Sequence, residues 1–112
     1  MTAPETRPIR SLRRPPRDLT GKERRHLRSL AHHLSPVVQV GKEGASHAVH
    51  RQVDRALEDH ELIKVRVGEA SPDDRHMVAQ ALTESLVAHL AGMVGRVVIL
   101  YRRHPEKPRI QI

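Results

Sequence analysis

Residues 36–44 read Pro36-Val37-Val38-Gln39-Val40-Gly41-Lys42-Glu43-Gly44. The run Val37–Val38–Gln39–Val40 is short and β-branched. Ser35–Pro36 ends whatever helix precedes it and Gly41 bounds its far side, so a buried strand is predicted over 37–40. Glycines at both ends of Gly41-Lys42-Glu43-Gly44 let the backbone turn and come close to a ligand. Beyond the loop, Val49, Val53, Ala56, Leu57 and His60 recur at helical spacing, so the loop leads a strand into a helix N-terminus. Such an end presents unpaired N–H groups and a partial positive charge, which suits a phosphate, and Lys42 adds a full charge beside it. Glu43 weakens that case, and Gly-x-x-Gly alone equally describes a plain strand-to-helix turn.

Upstream of the loop, Thr20 and Glu23 have the spacing of a capping box. Leu27, Leu30, Ala31 and Leu34 follow as i, i+3, i+4, i+7, which predicts a helix over about 20–33. Downstream, Glu61–Val67 alternates Ile63, Val65 and Val67 with Lys64 and Arg66, the period of a strand with one face on a core and the other basic. Ser71–Pro72–Asp73–Asp74 supplies an N-cap, an N1 proline and two first-turn acids, so a third helix is expected over about 72–87. Both acids then serve that helix, and only the second helix is left free for an anion. Residues 90–94 and 97–102 read as two strands joined at Gly95–Arg96, and Gly92 inside the first marks a bulge. The order helix-strand-helix-strand-helix-strand-strand predicts an α/β fold, a four-stranded mixed sheet packed with helices.

The chain has 112 residues and a formal charge of +7, which allows one compact domain and points to an anionic partner. Residues 1–17 hold five arginines against Glu5 alone, with four prolines, and read as a disordered basic arm; residues 18–112 are the folded domain. The absence of cysteine excludes disulfides, a thiolate metal site and a cysteine nucleophile. No apolar run approaches the roughly 20 residues of a membrane helix, and the Arg-rich start has no apolar core of a signal segment, so a cytoplasmic protein is expected.

Lys22, Arg24, Arg25 and Arg28 crowd the first helix, whose single acid, Glu23, is used by its cap. They form an exposed basic flank rather than a self-neutralised one. On the second helix, Arg51 and Arg55 are answered by Asp54, Glu58 and Asp59. His47 and His50 are the best-spaced pair among nine histidines, but nothing completes a metal site, and no metal or other cofactor is expected. No nucleophile elbow, Walker loop or zinc-protease helix is present, so neither an enzyme nor a small-molecule substrate is expected. One aromatic residue of the Phe, Tyr and Trp class, Tyr101, argues against recognition by stacked bases and leaves backbone, shape and charge.

Read together, these motifs resemble the CRM domain, the chloroplast RNA splicing and ribosome maturation module, in its stand-alone bacterial YhbY-like form. The resemblance rests on Leu27-Arg28-x-Leu30-Ala31-His32, on Pro36-Val37-Val38-x-Val40-Gly41-Lys42-x-Gly44, on Glu61-Leu62-Ile63-Lys64-Val65 and on Leu100-Tyr101-Arg102. It implies a loop similar to the nucleic-acid-clamping GxxG loop of KH domains and association with ribosomal RNA in precursor large ribosomal subunits. It gives Gly41, Lys42 and Gly44 the RNA-backbone role, with Arg28, Lys64 and Arg102 as matching basic positions. The arm 1–17 departs from the short bacterial form. The competing reading is a non-enzymatic protein-interaction module whose basic arm docks on acidic partners.

Overall fold

The computed structural model describes residues 17–112. Of the expected basic arm, residues 1–16 lie outside the described residues. Its last residue, Arg17, is described and makes two hydrogen bonds, of 2.8 and 2.7 Å, to the carboxylate of Glu23.

The elements are α1 (Gly21–Ala31), β1 (Val38–Val40), α2 (His47–His60), β2 (Leu62–Val67), α3 (Arg75–Leu86), β3 (His89–Val94) and β4 (Val97–Tyr101). The sheet runs β1-β2-β4-β3, with β1 parallel to β2 and the other pairs antiparallel. This is the expected order and the expected mixed sheet.

Alternation along the strands divides the apolar side chains between two faces. Ile63, Val65 and Val67 join Val38, Val40, Val98 and Leu100 beneath α2 and α3. Leu62, Ile99, Tyr101 and Ala91 meet Leu19, Leu27 and Ala31 of the α1 segment on the other side. Each such fully buried Leu, Ile or Val contributes about 1.5–3 kcal/mol relative to exposure. The α2/α3 side holds most of them and is the main core. The face carrying Lys64 and Arg66 is therefore only partly open, because α1 covers its Leu62 end.

Helix α1 starts as its capping box predicts: the Thr20 hydroxyl accepts from the Glu23 N–H (3.1 Å) and the Glu23 carboxylate accepts from the Thr20 N–H (3.0 Å). The Arg17 guanidinium, followed by the Thr20 N–H, holds the Glu23 carboxyl down at about 2. The helix stops at Ala31, earlier than expected, and Leu30 and Leu34 are left 40% exposed instead of joining the core.

Helix α3 starts later than expected. Its N-cap is Asp74, whose side chain accepts from the Met77 N–H at 2.9 Å, not Ser71. Ser71 instead closes a local turn, its hydroxyl donating to the Asp73 carbonyl (2.8 Å) and accepting from the Asp73 N–H (3.1 Å). The helix ends at Val87 in the left-handed region (φ 53°, ψ 56°), a rare conformation for a β-branched residue, so Ala88 to Leu90 do not extend it. The register of β3 against β4 shifts between Leu90 and Gly92, the bulge expected at the glycine.

Candidate nucleic-acid interface

Parallel pairing of β1 and β2 brings the ends of both strands to one edge of the sheet, and the β3–β4 turn falls at the same edge. The Gly68 N–H donates to the Val40 carbonyl (2.9 Å) and the Val67 N–H to the Arg96 carbonyl (2.8 Å). Three connections thus converge there: 41–46, 68–74 and 95–96.

The loop after β1 closes on itself, with the Gly44 N–H donating to the Gly41 carbonyl (2.9 Å) and the Ser46 N–H to the Gly44 carbonyl (2.8 Å). Gly44 is buried at φ +67°, and a side chain there would strike the Asp73 carboxylate and the Pro72 ring. Only glycine fits. Gly41 is different: it is exposed, its φ is not positive, and space beside its Cα is open. Lys42 and Glu43 are both exposed at the tip.

The start of α2, expected to be open to an anion, has two of its surrounding N–H groups already engaged. Ser46 is its N-cap, accepting from the Val49 N–H at 3.2 Å. Asp73, reaching across from the loop before α3, accepts from the Ala45 N–H at 3.1 Å. The adjacent acids therefore have separate duties, Asp74 capping its own helix and Asp73 serving the glycine loop. Sequence spacing around α3 assigned both to that helix because the partner of Asp73 lies 28 residues away.

Next to the loop, one row across the sheet stays uncovered by α1: Gln39 pairs with Arg66, Arg66 with Val97, and Val97 with Val94. Gln39 and Arg66 are exposed and Val94 is 64% exposed. The following row, Lys64, Ile99 and Gly92, marks where α1 begins to cover the sheet. There Lys64 is half-buried and its Nζ donates to the Leu34 carbonyl at 2.9 Å, just beyond the C-terminal end of α1. Arg28 lies across Gly92, where any side chain would collide with its methylene groups, and donates to the Ala91 carbonyl at 3.2 Å. Exposed Arg96 sits in the β3–β4 turn, and half-buried Arg75 donates to the Gly95 carbonyl at 2.7 Å. The structure thus gathers Lys42, Lys64 and Arg28 with Arg66, Arg75 and Arg96. Sequence reasoning did not propose the last three as site residues; for Arg66 the signal was its i+2 spacing from Lys64, which puts both on one face.

The remaining predicted positions go elsewhere. Lys22 and Arg25 are exposed on the first turns of α1, with Arg24 half-buried beside them. Those turns lie toward the opposite end of the sheet, where Arg17 and Leu19 meet His89 and Tyr101 around a cavity of about 580 Å³. Burial pushes the His89 imidazole below its ordinary range, opposed by Asp18 and Glu23 and helped by Arg17 and Arg24.

Arg102, expected among the RNA-facing basic positions, lies inside the domain instead. It is 6% exposed, and its guanidinium donates to the Asp54 carboxylate (2.8 Å), the Leu86 carbonyl (3.0 Å) and the Asp54 carbonyl (3.1 Å). Burial lowers its pKa, partly opposed by Glu58 at 3.9 Å. It braces α2 against the end of α3 and has little surface left for a ligand.

Among the described residues, no group of three or more His, Asp or Glu side chains is placed to hold a metal, and no helix is long and apolar enough to cross a membrane.

Residues 19–102 match the family described as the CRS1 / YhbY (CRM) domain. The Bacillus subtilis protein named "Probable RNA-binding protein YqeI" is 42% identical over 94 residues, covering 84% of this chain and 98% of the relative. A Haemophilus influenzae protein named "RNA-binding protein" is 35% identical over 94 residues, covering 84% of this chain and 94% of the relative. The solution structure of the hypothetical protein SAV1595 from Staphylococcus aureus superposes with a TM-score of 0.72 at 39% identity, covering 84% of this chain and 98% of that one.

Proposed function

Because this chain belongs to the CRS1 / YhbY (CRM) domain family, we propose that it is a non-enzymatic RNA-binding protein that contacts RNA backbone along the glycine-loop edge of its sheet. The observation that carries the proposal is the open row Gln39–Arg66–Val97, bordered by Lys42, Arg96, Lys64 and Arg28. No Phe, Tyr or Trp belongs to it, so bases have no ring to stack on and phosphates are the natural ligand. Arg66 and Arg96 are exposed cations, and a guanidinium can grip two phosphate oxygens at once. Glu43 and Asp73 offset part of this charge beside the loop, so affinity rests on the sheet face as much as on the loop. The names of the relatives support the RNA reading.

The RNA in question, in this proposal, is ribosomal RNA in precursor large subunits, and the protein assists their assembly in the cytoplasm; the family resemblance supports this. Sedimentation of cell extracts tests it. The protein should travel with precursor large subunits and leave them after ribonuclease treatment. Co-sedimentation that survives ribonuclease would favour a protein partner instead. The loop contact is tested by filter binding at several salt concentrations. Lys42→Ala should weaken binding to all RNA sequences alike and lower the log–log salt slope by at most about one. An unchanged slope would remove the loop from the RNA surface.

A further inference from the structure

A carboxylate of the protein itself sits beside the start of α2. The Asp73 carboxylate accepts the Ala45 N–H at 3.1 Å, one residue before the Ser46 N-cap, so its negative charge lies beside the helix start where a phosphate would approach. Three further features show that this placement is built. Gly44 lacks the side chain that would collide with that carboxylate. The Ser71 hydroxyl fixes the Asp73 backbone through both its N–H and its carbonyl. Asp74 alone caps α3, so Asp73 has no capping duty to explain its presence.

We propose that Asp73 is a positioning residue for RNA at the Gly41–Gly44 loop. It holds the loop in the shape that presents Lys42, and its charge keeps RNA phosphate off the start of α2, directing it outward toward Lys42 and the Arg66–Arg96 edge. The inference rests on the RNA reading above. Its consequence is that the loop's tie and the loop's charge act in opposite directions on affinity, and two substitutions separate them. Asp73→Asn keeps an acceptor oxygen for the Ala45 N–H and removes the negative charge. Asp73→Ala removes both.

The test is filter binding of an RNA fragment across a salt series, with a thermal melt on each variant and Lys42→Ala as reference. Asp73→Asn should bind several-fold more tightly than the parent, with a salt slope steeper by up to about 0.7, as a phosphate gains access to the helix start. Asp73→Ala should bind several-fold more weakly, although it too has lost a negative charge. Were Asp73 only a structural stitch, Asp73→Ala would lower the melting temperature and both variants would leave the slope of folded protein untouched. Were it only repulsive, Asn and Ala would raise affinity alike. Either result overturns the proposal. Should Asp73→Ala fail to fold, the slope of Asp73→Asn decides alone, an unchanged slope overturning the proposal. If Lys42→Ala weakens binding while both Asp73 variants match the parent, this inference fails and the RNA site stands. If Lys42→Ala has no effect, the assignment of the loop to RNA fails first.

Discussion

The two ends of the sheet use the same residue types in opposite ways. At the glycine-loop edge, Lys42, Arg66 and Arg96 are exposed. At the other end, Arg102 is sealed against Asp54 and Leu86, and Glu61 is wholly buried. Glu61 ends α2 with φ +66°, and its carboxylate collects the N–H groups of His104 (2.7 Å), Arg109 (2.8 Å) and Ile110 (3.0 Å). That one side chain fastens the segment after β4 to the domain. A charge on the surface in high dielectric contributes little to stability and stays available to a partner. A buried charge must be met on every side, and it then belongs to the fold. On the proposed RNA reading the two ends divide binding from stability, and substitutions should separate them by readout.

The largest effect is expected at the closed end. Arg102→Ala leaves the Leu86 carbonyl and the Asp54 side chain without their guanidinium, and should cost about 3 kcal/mol in denaturant unfolding. A loss within 0.5 kcal/mol, the ordinary range of about that size for surface substitutions, would mean that the Arg102 network does not brace α2 against α3.

Glu61→Gln should follow at about 2 kcal/mol, since hydrogen bonds to a charged acceptor are the stronger kind. The pH dependence has a definite sign. Burial works to raise the Glu61 carboxyl, but the three backbone N–H donors, helped by the charge of Arg109, hold it below the usual carboxylate range. A group with a depressed folded value contributes its stability above the unfolded value, about 4.3 for Glu, and loses it as pH falls through the folded one. The gap between parent and Glu61→Gln should be constant near neutral pH and narrow below about pH 4. A gap that held unchanged down to pH 2 would show that ionisation of Glu61 contributes nothing.

The smallest effects on stability, and the sharpest on binding, belong to the open edge. Arg66→Ala should change unfolding by no more than about 0.5 kcal/mol. It should nevertheless lower the salt slope of RNA binding by about 0.7 on single strands. Arg51→Ala, on a helix face with its own acids, should change neither. Equal slopes for these two variants would erase the distinction between a local edge and diffuse positive charge.

Much of this architecture was readable from local pattern. The alternation of Ile63, Val65 and Val67, the Thr20–Glu23 box and the Gly95–Arg96 turn each depend on neighbours within a few residues, and each lies where spacing placed it. Helix ends without a local marker were not readable. Val87 and Glu61 take positive φ with no glycine to announce it, held by the structure around them. Leu30 and Leu34 have the right period for a core but line an open groove with Val37, Leu62 and Ile110, so periodicity alone overcounted the buried face.

For the candidate site the division is the same. Sequence by itself determined that the chain is basic, lacks stacking aromatics in any number, and sets a glycine-flanked lysine between a strand and a helix, because these are matters of composition and spacing. Only the tertiary structure decided which charges are usable. Arg102 and Arg66 are both strand-associated arginines in the sequence, and the first is drawn inside by Asp54, 48 residues away, while the second stays in the row α1 leaves open. Asp73 and Asp74 are adjacent and chemically identical, and they part because one meets its own helix and the other meets Ala45 across the fold. The energy of a charge depends on what surrounds it in space, and that surrounding is assembled from residues far apart along the chain.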